Sequence, residues 1–136
     1  MSRINLGITL IASVALSACG YDLRIYSKYE NLDEARADGA MGRGWIPDWL
    51  PENAIDIHEH HDLDTNVRAI SFSVDQTEEW PWPIECIPVE TATRPQIRTE
   101  LFPRAPHRFD EIQDCAEVFA VRDSEGVVHM WSIPGF

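Results

Sequence analysis

The chain has 136 residues, of which 23 are acidic and 11 basic, for a formal net charge of −12, and 44% are hydrophobic. The length suits one domain, and the apolar content fits one folded core rather than a disordered chain. The negative charge disfavours electrostatic binding to nucleic acid or to anionic lipid headgroups.

The first segment has the layout of a secretory signal. A basic residue, Arg3, precedes the apolar stretch 6–16, and the small residues Ser17 and Ala18 follow it. The apolar stretch is too short to cross a bilayer, because a membrane-spanning helix needs about 20 residues. We therefore predict a signal peptide over residues 1–18.

The run Leu16-Ser17-Ala18-Cys19-Gly20 resembles the lipobox of bacterial lipoproteins. The resemblance implies cleavage before Cys19, a diacylglyceryl thioether on its sulfur, and an acyl chain such as palmitate on its new amino group. Three chains would anchor the protein firmly, since one alone binds only marginally. Gly20 stands where an Asp would resemble an inner-membrane retention signal, so the resemblance favours the periplasmic face of the outer membrane. The alternative is an ordinary signal peptide that is cut elsewhere.

Residues 19–30 are predicted to be the lipidated N-terminal segment, ahead of a single domain over 31–136. This segment contains three tyrosines and is too aromatic for a loose polar tether, so Leu23–Tyr26 could instead be a first strand. A short helix is predicted over 31–41, because Asn31 is a favourable N-cap and acidic residues follow it.

An aromatic and proline-rich turn at 44–51 is followed by two alternating segments. The turn is predicted to plug one edge of the core, with a ligand-binding aromatic wall as the alternative. Residues 54–60 and 67–74 alternate between apolar and polar side chains, which predicts an antiparallel hairpin with Ile55 and Ile57 on its buried side.

Within residues 43–66, the spaced elements Gly44-Trp45-Ile46-Pro47, Leu50-Pro51 and Asp64-Thr65-Asn66 resemble a pattern of small bacterial proteins. The resemblance implies no activity. It does imply that the turn and the following hairpin form one structural unit.

The cluster that could bind a metal ion lies in the first of these alternating segments. On a strand, His58 and His60 project from one face about 6.6 Å apart, because the rise is near 3.3 Å per residue. Two imidazoles so placed, with Asp56 as a third ligand, could bind zinc or copper. The alternative is a polar strand surface that faces solvent, since the spacing matches no established metal motif.

The C-terminal half begins with a proline-rich stretch from 78 to 106 and ends in a clear hairpin. A short edge strand is predicted over 84–89, and Phe109–Cys115 is predicted to form one or two helical turns. Residues 117–122 and 127–133 are rich in Val, Phe and Trp, with a Gly-containing turn between them, which predicts two paired strands.

Two cysteines remain after Cys19. Because the implied compartment is oxidising, Cys86 and Cys115 are predicted to form a disulfide, with two buried thiols as the alternative. The bond would close a loop of about 30 residues and contribute roughly 3–4 kcal/mol in the chain-entropy model.

Together these patterns predict an α+β fold, in which a small antiparallel sheet carries one or two short helices. No nucleophile elbow, phosphate loop or dinucleotide fingerprint is present in the sequence, so we expect a non-enzyme without a required cofactor. The expected role is a membrane-anchored envelope lipoprotein that binds another envelope protein and not nucleic acid. The alternatives are a periplasmic metal-binding lipoprotein and, less favoured, a hydrolase or its accessory subunit.

Overall fold

The computed structural model describes residues 23–74 and 80–135 of the chain. These residues form seven strands, one short α-helix and one 3-10 turn. The strands are β1 Arg24–Asn31, β2 Ala54–Asp62, β3 Arg68–Val74, β4 Ile87–Val89, β5 Ile112–Asp114, β6 Val118–Arg122 and β7 Val128–Ser132; the helix is α1 Leu32–Ala37, and the 3-10 turn is Pro106–Arg108.

All seven strands join one antiparallel sheet in the order β1-β2-β3-β7-β6-β5-β4. The prediction of an α+β fold is therefore wrong, and the protein is essentially all-β. Helix α1 has six residues and packs at the side of β1 and β2.

The second predicted helix is the clearest error. Phe109–Cys115 contains strand β5 instead of helical turns, and β5 is paired on one side with β4 and on the other with β6. A disulfide joins Cys115, directly after β5, to Cys86, directly before β4. Tertiary pairing thus decides the conformation of a segment whose local preference is weak.

Helix α1 begins where the sequence predicted. The Asn31 side chain accepts a hydrogen bond from the Glu34 backbone N–H at 3.1 Å, and the Glu34 carboxylate accepts one from the Glu30 N–H at 2.8 Å. Both contacts satisfy backbone donors near the helix N-terminus. The helix ends at Ala37, four residues earlier than predicted, and Gly39 follows with a positive φ of 78°.

Strands β2 and β3 form the predicted antiparallel hairpin, but the first residues of β2 do not point to the predicted faces of the sheet. The register of β2 slips between Ile55 and His58, where Asp56 has a φ of 49°. This β-bulge turns Ile55 outward, 43% exposed, while Ala54 and Ile57 are fully buried. The prediction that Ile55 shares the buried side with Ile57 is therefore wrong.

The sheet buries a separate apolar cluster on each face. On the first, which we call the helix face, α1 and the proline turn cover the sheet; its cluster includes Leu32, Ile46, Ile57, Phe72 and Met130. On the second, the loop face, residues from the 90–110 segment cover Ile112, Phe119, Val121 and Trp131. The predicted turn at 44–51 does plug the core, because Ile46 and Leu50 are buried.

The two end strands of the sheet differ in sequence. Strand β1 has eight residues, and β4 has three, of which the middle one is Pro88. Proline has no N–H to donate, so it is compatible with an edge strand and unfavourable for further pairing. Among the residues described, no helix is long and apolar enough to cross a membrane.

Candidate functional site

The residues predicted to bind a metal lie on β2, where Asp56 and His58 are already engaged. The Lys28 ammonium on β1 lies 2.9 Å from Asp56 Oδ1, and His58 Nε2 lies 3.1 Å from the same oxygen. His58 Nδ1 contacts the Tyr26 hydroxyl. His60, the third residue, packs edge-on against the Tyr26 ring at 6.3 Å between ring centroids.

The grouping of ligand side chains around Asp56 and His58 is limited. Within residues 23–74 and 80–135, no three His, Cys, Asp or Glu side chains are grouped so that they could hold a metal ion. The Lys28 ammonium, with His58, lowers the pKa of Asp56 and holds its carboxylate in an ion pair. The polar-surface alternative describes His58, which lies on a partly exposed face of β2.

The other face of β2 carries a buried pair that the sequence analysis missed. Glu59 and His61 are 1% and 4% exposed, and His61 Nδ1 lies 2.8 Å from Glu59 Oε1 and 2.9 Å from Oε2. Burial raises the pKa of Glu59 to about 8, although Arg68 and Arg43 oppose the shift. Burial, aided by the Arg43 charge, lowers the pKa of His61.

At neutral pH these shifts favour a protonated Glu59 that donates its proton to the neutral His61 Nδ1. The Trp45 indole stacks on the His61 ring with centroids 3.7 Å apart and planes inclined by 8°. Trp45 therefore covers the pair, which gives this residue of the proline turn a packing role. The available clue was the alternation itself, because Glu59 and His61 continue the buried positions that begin at Ile57.

A polar cleft lies beside this pair. Arg68, opposite His61 on β3, donates to the Glu117 carboxylate at 2.7 Å and to the Gly44 carbonyl at 2.5 Å. Its Nε is buried and has no partner among the described groups. The cleft, about 230 Å³, is lined by Arg43, Gly44, Trp45, Asn66, Arg68, Glu117 and Ser132. A buried donor facing a polar cavity of this size is normally satisfied by water.

The loop face contains a serine, a histidine and an aspartate in contact. Ser71 Oγ lies 2.8 Å from His129 Nδ1, and His129 Nε2 lies 2.8 Å from Asp123 Oδ2. Burial opposes ionisation of Asp123, but hydrogen bonds from His129, Val127 and Glu125 outweigh it and lower the pKa of Asp123.

The three linked side chains, Ser71, His129 and Asp123, resemble a hydrolytic triad only in their residue types. Ser71 and His129 are each 3% exposed, and the Phe102 ring packs against the His129 ring at 5.4 Å between centroids. A substrate carbonyl must reach the nucleophile, and the side chain of Ser71 is buried in this structure. The contacts instead tie β3, β7 and the turn after β6 together.

The predicted disulfide is present: Cys86 and Cys115 are bonded and both are buried. It fastens the shortest strands, β4 and β5, where three-residue pairing alone is weak. Cys19 and the predicted signal peptide lie outside the described residues.

Comparison with known protein families gives a match to part of the chain. A family model described as the YbbD head domain matches residues 24–73, which run from β1 nearly to the end of β3 and contain the predicted motif region 43–66. The similarity indicates a small bacterial domain. No curated protein and no solved structure matches the chain.

Proposed function

We propose that this protein is a lipid-anchored envelope lipoprotein whose β domain binds another envelope protein without catalysing a reaction. Its proposed location is the periplasmic face of the outer membrane. The observation that carries the proposal is the run Leu16–Gly20, in which Cys19 follows an apolar leader and small residues.

The disulfide supports the proposed compartment. Disulfides form and persist in secreted and periplasmic proteins and are rare in the cytosol. The bond between Cys86 and Cys115 joins residues 29 positions apart, so it constrains much of the C-terminal half. A protein that needs this bond would fold best after export.

The position of β1 supports an orientation on the membrane. Cys19 is separated from Arg24, the first residue of β1, by four residues, so the connection spans at most about 18 Å. Leu23, Ile25 and Leu63 at this end of the sheet are 40–52% exposed, and the Leu63 N–H donates to the Leu23 carbonyl. We propose that this apolar end lies against the bilayer interface.

The opposite edge of the sheet is then available to a protein partner. Six strand spacings place β4 about 29 Å from β1. Ile84 and Ile87 are 93% and 58% exposed beside the disulfide. Because Pro88 disfavours strand addition, a partner would contact these isoleucine side chains rather than extend the sheet. The burial of Ser71 supports a non-enzymatic role over the hydrolase alternative.

The anchor is tested by Cys19→Ala in the native host. The variant should leave the membrane fraction, and its mature mass should lack the acyl chains carried by the unchanged protein. Ser17→Ala, which keeps a small residue and the cysteine, is the control and should remain in membranes. A Cys19→Ala protein of unchanged mass that stays in the membrane fraction contradicts the anchor.

The partner surface is tested by a photo-crosslinking side chain placed at Ile84. A matched position is Asp33, whose side chain is 91% exposed on α1. In intact cells, position 84 should give a discrete crosslinked species and position 33 should not. Equal crosslinking at both positions, or none at position 84, contradicts this surface.

A further inference from the structure

The segment 94–108 carries a net positive charge in a strongly acidic protein. This segment holds four of the chain's 11 basic residues, namely Arg94, Arg98, Arg104 and Arg108, and one acidic residue, Glu100. Its arginine charge of +4 and the glutamate charge of −1 sum to +3, while the whole chain carries −12. A solubilising surface would not need this local reversal of sign.

The four arginines surround one cavity. It has a volume of about 570 Å³, and its wall includes all four arginines together with Ile97, Phe102 and His107. Three prolines also line it, Pro95, Pro103 and Pro106. A cavity of this size lies within the range of about 300–1,000 Å³ that is typical of small-ligand sites.

These arginines differ from the arginines elsewhere in the domain. Arg36 pairs with Glu52, Arg43 with Asp38, and Arg68 with Glu117. By contrast, none of the four guanidinium groups in the 94–108 segment makes an ion pair or hydrogen bond with any group in the described part of the chain. Their charges are therefore not neutralised by a direct ion pair within the described residues.

A histidine nitrogen in the cavity wall is also without a partner. His107 Nδ1 is buried and has no hydrogen-bond partner among residues 23–74 and 80–135. Burial, followed by the charges of Arg94 and Arg108, lowers the pKa of His107. These two arginines are thus close enough to act on His107, and the cavity concentrates positive charge with an unused polar atom.

The segment is held firmly by the sheet below it. The Phe102 ring packs against His129 and Trp131, with centroids 5.4 and 6.3 Å away. The Trp131 indole N–H donates to the Thr93 carbonyl at 2.8 Å, just before Arg94. The backbone that carries the four exposed arginines is therefore tied to the sheet at Thr93 and Phe102, which limits the backbone ordering that binding requires.

We propose that this cavity binds a phosphate-bearing ligand. Arginine suits this chemistry because its planar guanidinium can donate two parallel hydrogen bonds to phosphate oxygens. Phosphate esters are carried both by free metabolites and by lipid headgroups, and the cavity chemistry is common to the two sources. This inference goes beyond the proposed anchor and does not depend on it.

The test uses inorganic pyrophosphate and the full-length protein in a zwitterionic detergent, followed by calorimetric titration. We expect saturable binding that weakens as salt is added, and loss of most of that binding in Arg98→Gln/Arg104→Gln. The control, Arg36→Gln/Arg43→Gln, removes the same charge from another surface and should bind as the unchanged protein does. Glu100→Gln should bind several-fold more tightly.

A second titration distinguishes the sources by comparing detergent micelles with and without phosphatidic acid. Binding that requires the lipid identifies a headgroup, whereas binding of pyrophosphate in undoped micelles identifies a soluble phosphate ligand. Binding of neither probe would overturn the proposal. An equal loss in both double variants would also overturn it, because the effect would then be one of net charge.

Discussion

Strand β2 carries two histidine–carboxylate pairs with the same spacing, in which the pKa of the carboxyl group is shifted in opposite directions. Asp56 and His58 lie on the partly exposed face, where Lys28 lowers the pKa of Asp56. Glu59 and His61 lie on the buried face, where desolvation raises the pKa of Glu59 to about 8. Each pair joins a carboxylic acid to a histidine two residues later, so the face of the strand decides which carboxyl group is ionised.

This comparison also explains the histidine cluster in the sequence. Three histidines, His58, His60 and His61, lie within four residues, but alternate residues of a strand project to opposite faces. His61 belongs with Glu59 under Trp45, and His58 belongs with Asp56 and Tyr26. Neighbouring histidines on one strand therefore lie in two separate chemical environments, one on each face.

The largest expected effect is the difference in stability between removing each carboxyl group. Glu59→Ala leaves the His61 Nδ1 unpaired and creates a buried cavity, so we expect a loss of about 2–4 kcal/mol in the free energy of unfolding. Asp56→Ala should cost far less, because exposed ion pairs contribute little. Urea denaturation of both variants measures the difference, and equal losses would contradict it.

The next effect is the dependence of stability on pH. Glu59 has a raised pKa, so its contribution is complete below pH 4.5 and is lost as pH rises towards 8. His61 has a lowered pKa, so its contribution is complete above pH 6.5 and is lost as pH falls below that value. Between pH 6.5 and 8 the Glu59 effect acts alone, and stability should fall by about 1–2 kcal/mol.

Glu59→Gln isolates this pH effect because glutamine keeps the size and a hydrogen-bond donor. The free energy of unfolding of this variant should be nearly constant between pH 6.5 and 8 in denaturation experiments. Asp56→Asn is the matched change on the other face and should retain the slope of the unchanged protein. A slope that survives in Glu59→Gln would show that another group is responsible.

The smallest expected effect concerns metal binding by the exposed pair. Because Lys28 and Tyr26 already contact Asp56 and His58, a zinc titration should give the same weak affinity for the unchanged protein and for His58→Ala/His60→Ala. Tighter binding by the unchanged protein would restore the metal-binding alternative.

The regular parts of the fold could be predicted from sequence. The β6–β7 hairpin follows from alternation and a glycine turn, and Gly126 has a φ of 85° there. The hairpin of β2 and β3 was also predicted, but the face of Ile55 was not, since the bulge at Asp56 depends on a left-handed conformation that Asp tolerates without requiring it.

The irregular parts could not be predicted in the same way. An edge strand was predicted over 84–89, and β4 is an edge strand, but only Ile87–Val89 is paired. Strand β5 has three residues, too few for a recognisable period, and its pairing depends on distant partners. Of the candidate site residues, the Cys86–Cys115 pairing could be predicted, because it follows from compartment and cysteine number. Glu59 could not, because a glutamate is an improbable core residue until a histidine and a tryptophan are seen to enclose it.

Pro88 has a consequence for the protein at high local concentration. A sheet with an unguarded end strand can act as a template on which identical chains stack into fibrils. In β4, Pro88 has no N–H, so the row of hydrogen bonds to a stacked copy would be interrupted at the middle residue of the strand. On β1, the Lys28 ammonium adds a charge that a stacked copy would have to accommodate. The domain can thus be crowded together with its own copies and still resist self-propagating aggregation.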